Sequence, residues 1–415
     1  MLKILNVVGT RPNFVKIAPL MAEMRRRPGV QPVLVHTGQH YDREMSDGFL
    51  EELRIPAPDF VLRPGLATAA MAQALRRVIR GVRPDVVLVV GDVNSTLAGA
   101  EAAAALGVPV GHVEAGLRSF DPGMPEESNR VATDALSDLL FASEPSAVEN
   151  LLAEGRPRNR IFLAGNVMID TLRQFLKSAR RSTVLSRLGL DQASGTPLRY
   201  AVATLHRPAT VDDPAVLRRV WAALEEIAAG VPVIFPAHPR TQARLRDSGI
   251  TRGASAGRVR LIGPLPYLDF VRLESAATLV MTDSGGVQEE TTAMGVPCLT
   301  LRNNTERPIT VLEGTNRIVG LEPAAIIEAA RSVLAGRART GRIPRLWDGR
   351  SAGRIVETLC DHYRPGRDRA PEEISGRSHI PAHTVSAQIN PAHAVPAHAV
   401  PTNIVPATAG LTRTC

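Results

Sequence analysis

Short, almost wholly apolar segments recur along this chain, and each is followed by a stretch whose apolar residues return about every 3.6 positions. The first series reads KILNVVG, QPVLVHTG, PDVVLVVGD, VPVGHVEAG, LLFASE and RIFLAGN. After Asn166 it restarts with RYAVATLHR, PVIFPAHPR, RVRLIGP, ATLVMTD and VPCLTL. Strands that lose both faces to covering helices have this composition, and their alternation with helices predicts a parallel, doubly wound α/β sheet. Two such series in 415 residues predict two similar halves, at 1–170 and 171–363, with a linker-like stretch at 183–198. The helical pattern GRSAGRIVETLCDHY at 349–363 closes the second half and could pack back on the first.

From Arg364 to Cys415 the character changes. Pro-Ala-His and Val-Pro units repeat with neither a helical nor a strand period, which reads as a disordered tail. Four of the ten histidines lie there, and weak metal binding is the functional alternative to an inert extension.

Composition excludes several classes. No run of about 18 uncharged apolar residues exists to span a bilayer, and MLKILNVVG reads as a buried first strand instead of a signal peptide, so a cytoplasmic protein is expected. The three cysteines, Cys298, Cys360 and Cys415, have no metal-binding spacing, so no metal site is expected. A net charge of +8 raises nucleic acid as a partner, but the charge is spread thinly and aromatics are only 4%. Lysine occurs only at positions 3, 16 and 177, so the excess reads as an arginine-biased surface plus a few arginines for an anionic ligand.

Ligands of open α/β sheets bind at the carboxyl ends of the strands, so the polar residues just after each apolar run are the candidates. Arg11 follows the first, with Lys16 one turn into the next helix. The sequence there is neither GxGxxG nor GxxxxGK[ST], which argues against a dinucleotide cofactor or a P-loop. Asp92 and Glu114 end later runs, and Glu126 opens a helix. Three carboxylates at one sheet edge suit acid/base work, although each alone is more often a structural partner. No GxSxG surrounds Ser284, so a serine hydrolase is disfavoured.

In the second half His206 and His238 end successive strands. Ser284-Gly285-Gly286 opens a helix whose first amides suit a phosphate, with Arg307 expected at the same edge as a clamp. Glu290 is placed to accept from both hydroxyls of a ribose, while Glu289 reads as structural.

These segments also resemble a known family. GTRPNFVKIAPL, TGQHYD, GDVNSTLAGA, HVEAGLRSFDPGMPEESNRVATD, GNVMIDTL, TLHRP, PAHPRT, TDSGGVQEETTAMGVPCLTLRNNTERP and EGTNRIVG are similar, in order, to the non-hydrolysing UDP-N-acetylglucosamine 2-epimerases over residues 1–363. The resemblance implies a GT-B-like fold of two Rossmann-like domains with an interdomain cleft. It implies inversion at C2 of UDP-GlcNAc to give UDP-ManNAc, through elimination and re-addition of UDP, without cofactor or metal, as a cytoplasmic homodimer supplying polysaccharide precursors. Carried over by position, Asp92, Glu114, Glu126 and His206 are the catalytic residues. Arg11, Lys16, His238, Ser284, Gly285, Gly286 and Arg307 are the substrate and phosphate contacts, Glu290 the ribose ligand, and Leu265 and Phe270 the uracil neighbours. Asn13 and the loop Gly38-Gln39-His40-Tyr41-Asp42 depart from the pattern of many members, which puts activation by a second substrate molecule in doubt. A glycosyltransferase of the same shape, an epimerase of a modified UDP-N-acetyl sugar and an idle nucleotide-sugar binder are the alternatives.

Overall fold

The computed structural model describes residues 1–39, 43–192, 194–250 and 258–363. The segment read as a disordered tail, and His40, Tyr41 and Asp42 of the departing loop, lie outside the described residues.

The first series of apolar runs becomes β1 (Leu2–Val8), β2 (Val30–His36), β4 (Val86–Val90), β5 (Val110–Ala115), β6 (Leu139–Ala142) and β7 (Ile161–Leu163), with a two-residue β3 (Phe60–Val61) added at the edge. They form one sheet in the order β3-β2-β1-β4-β5-β6-β7. The second series becomes β8 (Ala201–Thr204), β9 (Val233–Pro236), β10 (Val259–Ile262), β11 (Leu279–Thr282), β12 (Cys298–Thr300) and β13 (Asn316–Ile318), ordered β10-β9-β8-β11-β12-β13. Every strand pair in both sheets is parallel. The chain is thus two parallel-sheet α/β domains of seven and six strands. Burial on both faces explains the unbroken apolar runs: all five residues of β4 are buried.

Helices tie the halves together. Val167–Ala179 follows the first sheet and buries Val167, Ile169, Leu172 and Phe175 in the same cluster as Phe14, Ile17 and Leu20 of the helix Arg11–Arg26. Its Thr171 hydroxyl donates to the Val15 carbonyl at 2.6 Å. Glu52 of the first half accepts from the backbone N–H groups of Tyr267 and Leu268, both at 2.8 Å, and so caps the second-half helix Tyr267–Ser275. The last helix, Ser351–Tyr363, does pack on the first half: Ile355, Val356 and Leu359 are fully buried in its core, and Arg27 donates to the Gly353 carbonyl at 3.2 Å.

Candidate active site

The carboxyl ends of β1, β4, β5 and β6 converge on one edge of the first sheet. After β1 the chain turns through Gly9 and Thr10 into the helix Arg11–Arg26. Asn13 holds that turn. Its side-chain oxygen accepts from the Gly9 and Thr10 amides at 3.1 Å each, and its amide donates to the Val90 carbonyl at 2.9 Å, so it stitches the ends of β1 and β4 together. This departure from the family pattern therefore has a structural use in this chain.

Beside it lies a buried charged cluster. Lys16 Nζ donates to Glu114 Oε2 at 2.6 Å. Gly91 is pressed against this pair: with φ at +71°, it holds a place where an added Cβ would sit 2.8 Å from Lys16 Nζ. Glu114 is itself unusual. It occupies an irregularity in the β5–β6 pairing, between Val113 and Ala115, with φ also at +71°. A bulge of this kind re-aims a side chain that regular pleating would point elsewhere, and a left-handed non-glycine residue stores of the order of 1 kcal/mol of strain. Behind it His112 is fully buried, with Nδ1 2.6 Å from Asp134 and Nε2 2.8 Å from the Gly91 carbonyl. Asp134 also accepts from the Gly116 amide at 3.0 Å and pairs with Arg118 at 2.8 Å. These partners fix the backbone on both sides of Glu114.

Asp92 follows β4, its side chain 19% exposed. Arg130, buried in the helix Pro125–Leu136, donates to Asp92 Oδ2 through Nε at 3.0 Å and Nη2 at 2.7 Å. Burial pushes the Asp92 carboxyl up, but Arg130, Lys16 and Arg307 outweigh it and hold it down to about 2, so it is anionic at neutral pH. Of the adjacent pair on that helix, Glu127 is the structural member. It accepts from the Ser119 amide and hydroxyl, the Phe120 amide and Arg130. Glu126 is half-buried and makes no ion pair among the described residues.

The second half presents Ser284-Gly285-Gly286 at the start of the helix Gly285–Met294, directly after β11. Both glycines sit in crowded places. A Cβ on Gly285 would come within 2.6 Å of Glu306 Oε1, and one on Gly286 within 2.9 Å of Met168 Cε. Asp283 accepts from the His206 and Arg207 amides and pairs with His206 Nδ1 at 2.9 Å. Burial would raise the Asp283 carboxyl, yet His206 and these donors hold it low. The His206 side chain is 54% exposed, so its other ring nitrogen is available to a ligand.

Arg307 joins the halves. Its guanidinium is buried, with Nε 2.5 Å from Glu289 of its own half and Nη2 3.3 Å from Glu114 of the other. Burial raises the proton affinity of Glu289, the Arg307 charge opposing it. Glu306, the preceding residue, sits among Arg207 at 2.9 Å, Arg302 at 2.8 Å and Arg130 at 3.9 Å, which overcome its burial and keep it ionised. Glu290 is buried and accepts from the Tyr267 hydroxyl at 2.9 Å. Its burial raises the carboxyl to about 7, against the pull of that hydroxyl.

Of the residues singled out from sequence, Lys16, Asp92, Glu114 and Arg307 thus share one cluster, and His206 is held by the residue preceding Ser284. The other candidates make different contacts. Arg11 lies over the Phe49 ring at 5.5 Å, and His238 caps the helix Pro239–Asp247, its Nδ1 accepting from the Arg240 amide at 3.3 Å. Leu265 and Phe270 are half-buried against a cluster containing Val184, Leu185 and Leu273. Sequence reasoning missed Arg130, Asp283, Glu306 and Tyr267. Asp283 alone carried a signal, since it ends a strand beside Ser284. No group of His, Cys, Asp and Glu able to hold a metal ion occurs among the described residues, and none of their helices is long and apolar enough to cross a membrane.

A family profile described as UDP-N-acetylglucosamine 2-epimerase matches residues 22–360. The UDP-N-acetylglucosamine 2-epimerase of Methanococcus maripaludis is 37% identical over 378 residues, which is 88% of this chain and 100% of that protein. The UDP-2,3-diacetamido-2,3-dideoxy-D-glucuronate 2-epimerase of Pseudomonas aeruginosa is 40% identical over 367 residues, 86% of this chain and 99% of its own length. Among solved structures, the Methanocaldococcus jannaschii UDP-GlcNAc 2-epimerase in complex with UDP-GlcNAc and UDP aligns with a TM-score of 0.79 at 38% identity, covering 87% of this chain and 99% of that one.

Proposed function

The chain belongs to the UDP-N-acetylglucosamine 2-epimerase family, and from that premise we propose that it inverts C2 of a UDP-N-acetylhexosamine, interconverting UDP-GlcNAc and UDP-ManNAc. The observation that carries this reading is the cluster in which the first-half carboxylates Asp92 and Glu114 meet the second-half Arg307 beside the Ser284-Gly285-Gly286 turn. One side offers groups that accept or deliver a proton. The other offers donors for a diphosphate.

In the proposed reaction a carboxylate takes the C2 proton while the C1–O bond breaks. The C–H electron pair becomes the C1=C2 double bond of a 2-acetamidoglucal, and UDP leaves with the C1–O pair. UDP then adds back to C1 as a proton reaches the opposite face of C2. Asp92, Glu114 and Glu126 are the candidates for the two proton transfers. His206, oriented by Asp283, and the amides after Ser284 stabilise the charge that develops on the leaving diphosphate. Glu290, with Tyr267 behind it, holds the ribose. The Pseudomonas aeruginosa relative supports a second reading of the substrate, a UDP-N-acetyl sugar modified at C3 and C6. The enzyme would work as a cytoplasmic homodimer supplying precursor for a cell-surface polysaccharide.

Incubation with UDP-GlcNAc in D₂O, followed by NMR at C2, tests the proposal. Deuterium at C2 together with the manno epimer is expected, and Asp92→Asn and Glu114→Gln should abolish both while UDP still binds. Retained UDP binding with neither product would overturn it, and sugar transfer to an added acceptor would favour a glycosyltransferase.

A further inference from the structure

We propose that Arg130 is the positioning residue of Asp92, fixing one carboxylate oxygen so that the other is presented to the reacting proton, and that its hold is completed from the opposite domain by Glu306. The inference rests on the proposed epimerase reading for its catalytic meaning, but its geometry stands independently. Arg130 is 1% exposed, and both of its bonds to Asp92 converge on Oδ2. Oδ1 is thereby left for substrate. The remaining guanidinium nitrogen, Nη1, donates to Glu127 at 2.6 Å, and Glu127 is in turn held by the Ser119 and Phe120 amides. From the second half, Glu306 Oε1 lies 3.9 Å from Nη2.

A guanidinium anchored on both sides cannot swing away, so Asp92 has one orientation and stays anionic. The neighbour Asn129 fixes the backbone as well, donating to the Asp92 carbonyl at 3.0 Å. The charged groups facing Asp92 are Arg130 on Pro125–Leu136, Lys16 on Arg11–Arg26, and Arg307 and Glu306 from the second half. Of these, Arg130 is the one bonded to the carboxylate. Because Glu306 also holds Arg207 and Arg302, the orientation of the first-half carboxylate depends on how the second half is seated.

The test uses the full chain with Arg130→Lys and Arg130→Met. Lysine keeps the charge but cannot send two bonds to one oxygen. Misplacement of a reacting group by about 1 Å costs on the order of 100-fold in rate. Arg130→Met is therefore expected to lose roughly that factor in kcat with UDP affinity retained, and Arg130→Lys to be intermediate. With Arg130 gone, the pull that opposes burial at Asp92 is weakened, so the acidic limb of kcat/KM should move up from its wild-type position. A merely structural arginine would leave that limb in place. Folded variants with wild-type kcat and an unmoved acidic limb would overturn the inference.

A second measurement does not need turnover. Urea midpoints for wild type, Arg130→Met, Asp92→Asn and the double variant form a cycle, in which losses well short of additive are expected for bonded partners. Additive losses would overturn the contact. If the wild type incorporates no deuterium, the epimerase reading falls, while the cycle still decides the Arg130–Asp92 assignment.

Discussion

Glu144 lies two residues after β6, at the N-cap of the helix Pro145–Ala153 and at the same sheet edge as Asp92 and Glu114, yet the proposed reaction has no use for it. It is 1% exposed. Ser146 donates to its Oε1 at 2.6 Å. Burial raises the carboxyl from 4.5 to about 7; Ser146, Arg307 and the Ile309 amide pull it down without prevailing, and Glu306 adds to the rise. The folded state therefore binds the proton more tightly than the unfolded chain. Between pH 4.5 and about 7 it carries more protons than the unfolded state, and stability falls as pH rises through that window. The gap of 2.5, from 4.5 to about 7, at about 1.36 kcal/mol per pH unit, gives a loss of about 3 kcal/mol by the upper end.

Glu144→Gln cannot ionise, so that loss should vanish from the variant. Urea unfolding of wild type and variant at several values between pH 5 and pH 8 is expected to show curves that draw together or cross as pH rises, the variant gaining by up to about 3 kcal/mol relative to wild type. Glu289 and Glu290 are raised in the same sense and remain in both proteins; because the Glu144 charge is one of those that raise Glu289, the difference between the curves reads Glu144 together with its coupling to Glu289. Curves that run parallel across the window would refute the reasoning.

Three other perturbations have definite outcomes. Tyr267→Phe removes the hydroxyl that donates to Glu290, costs about 1–3 kcal/mol in urea unfolding, and weakens UDP binding by calorimetry if Glu290 holds the ribose; unchanged stability would contradict the first part. Gly285→Ala forces a methyl to within 2.6 Å of Glu306 Oε1, so UDP affinity should collapse in titration calorimetry, and wild-type affinity would count against an anion site there. Leu359→Ala empties a fully buried position in the first-half core and should cost about 2–5 kcal/mol; a thermal midpoint equal to wild type would show that the last helix is dispensable.

The strands were legible because parallel strands covered on both faces leave no polar alternation to interpret. β3 was not, since Phe60 and Val61 are exposed at the sheet edge, and β13, Asn316–Ile318, contains two polar residues in three. At the site, Asp92 and Glu114 could be found at or just after the ends of β4 and β5, and Lys16 one turn into the helix that follows β1. Arg130 and Glu306 could not be, because a charged residue on a helix or loop looks the same in sequence whether solvent or a buried partner neutralises it. Glu114 illustrates a further limit. Its bulged, left-handed backbone depends on His112 and Asp134 packed behind it, a relation between β5 and a helix some twenty residues later. His238, a ligand candidate by position, also caps the helix Pro239–Asp247 through Nδ1, a role its sequence position does not reveal.

The docking of the last helix on the first half has a consequence for the order in which the protein is made. Ile355, Val356 and Leu359 fill the same core as Leu2, Ile4 and Phe14. During synthesis the first sheet can pair its strands early, but one flank of its core stays open to water until the ribosome has released the residues up to Tyr363. The amino-terminal domain is finished by a helix that follows the whole second half, so a nascent first half carries an exposed apolar seam, prone to aggregation, while the second half emerges.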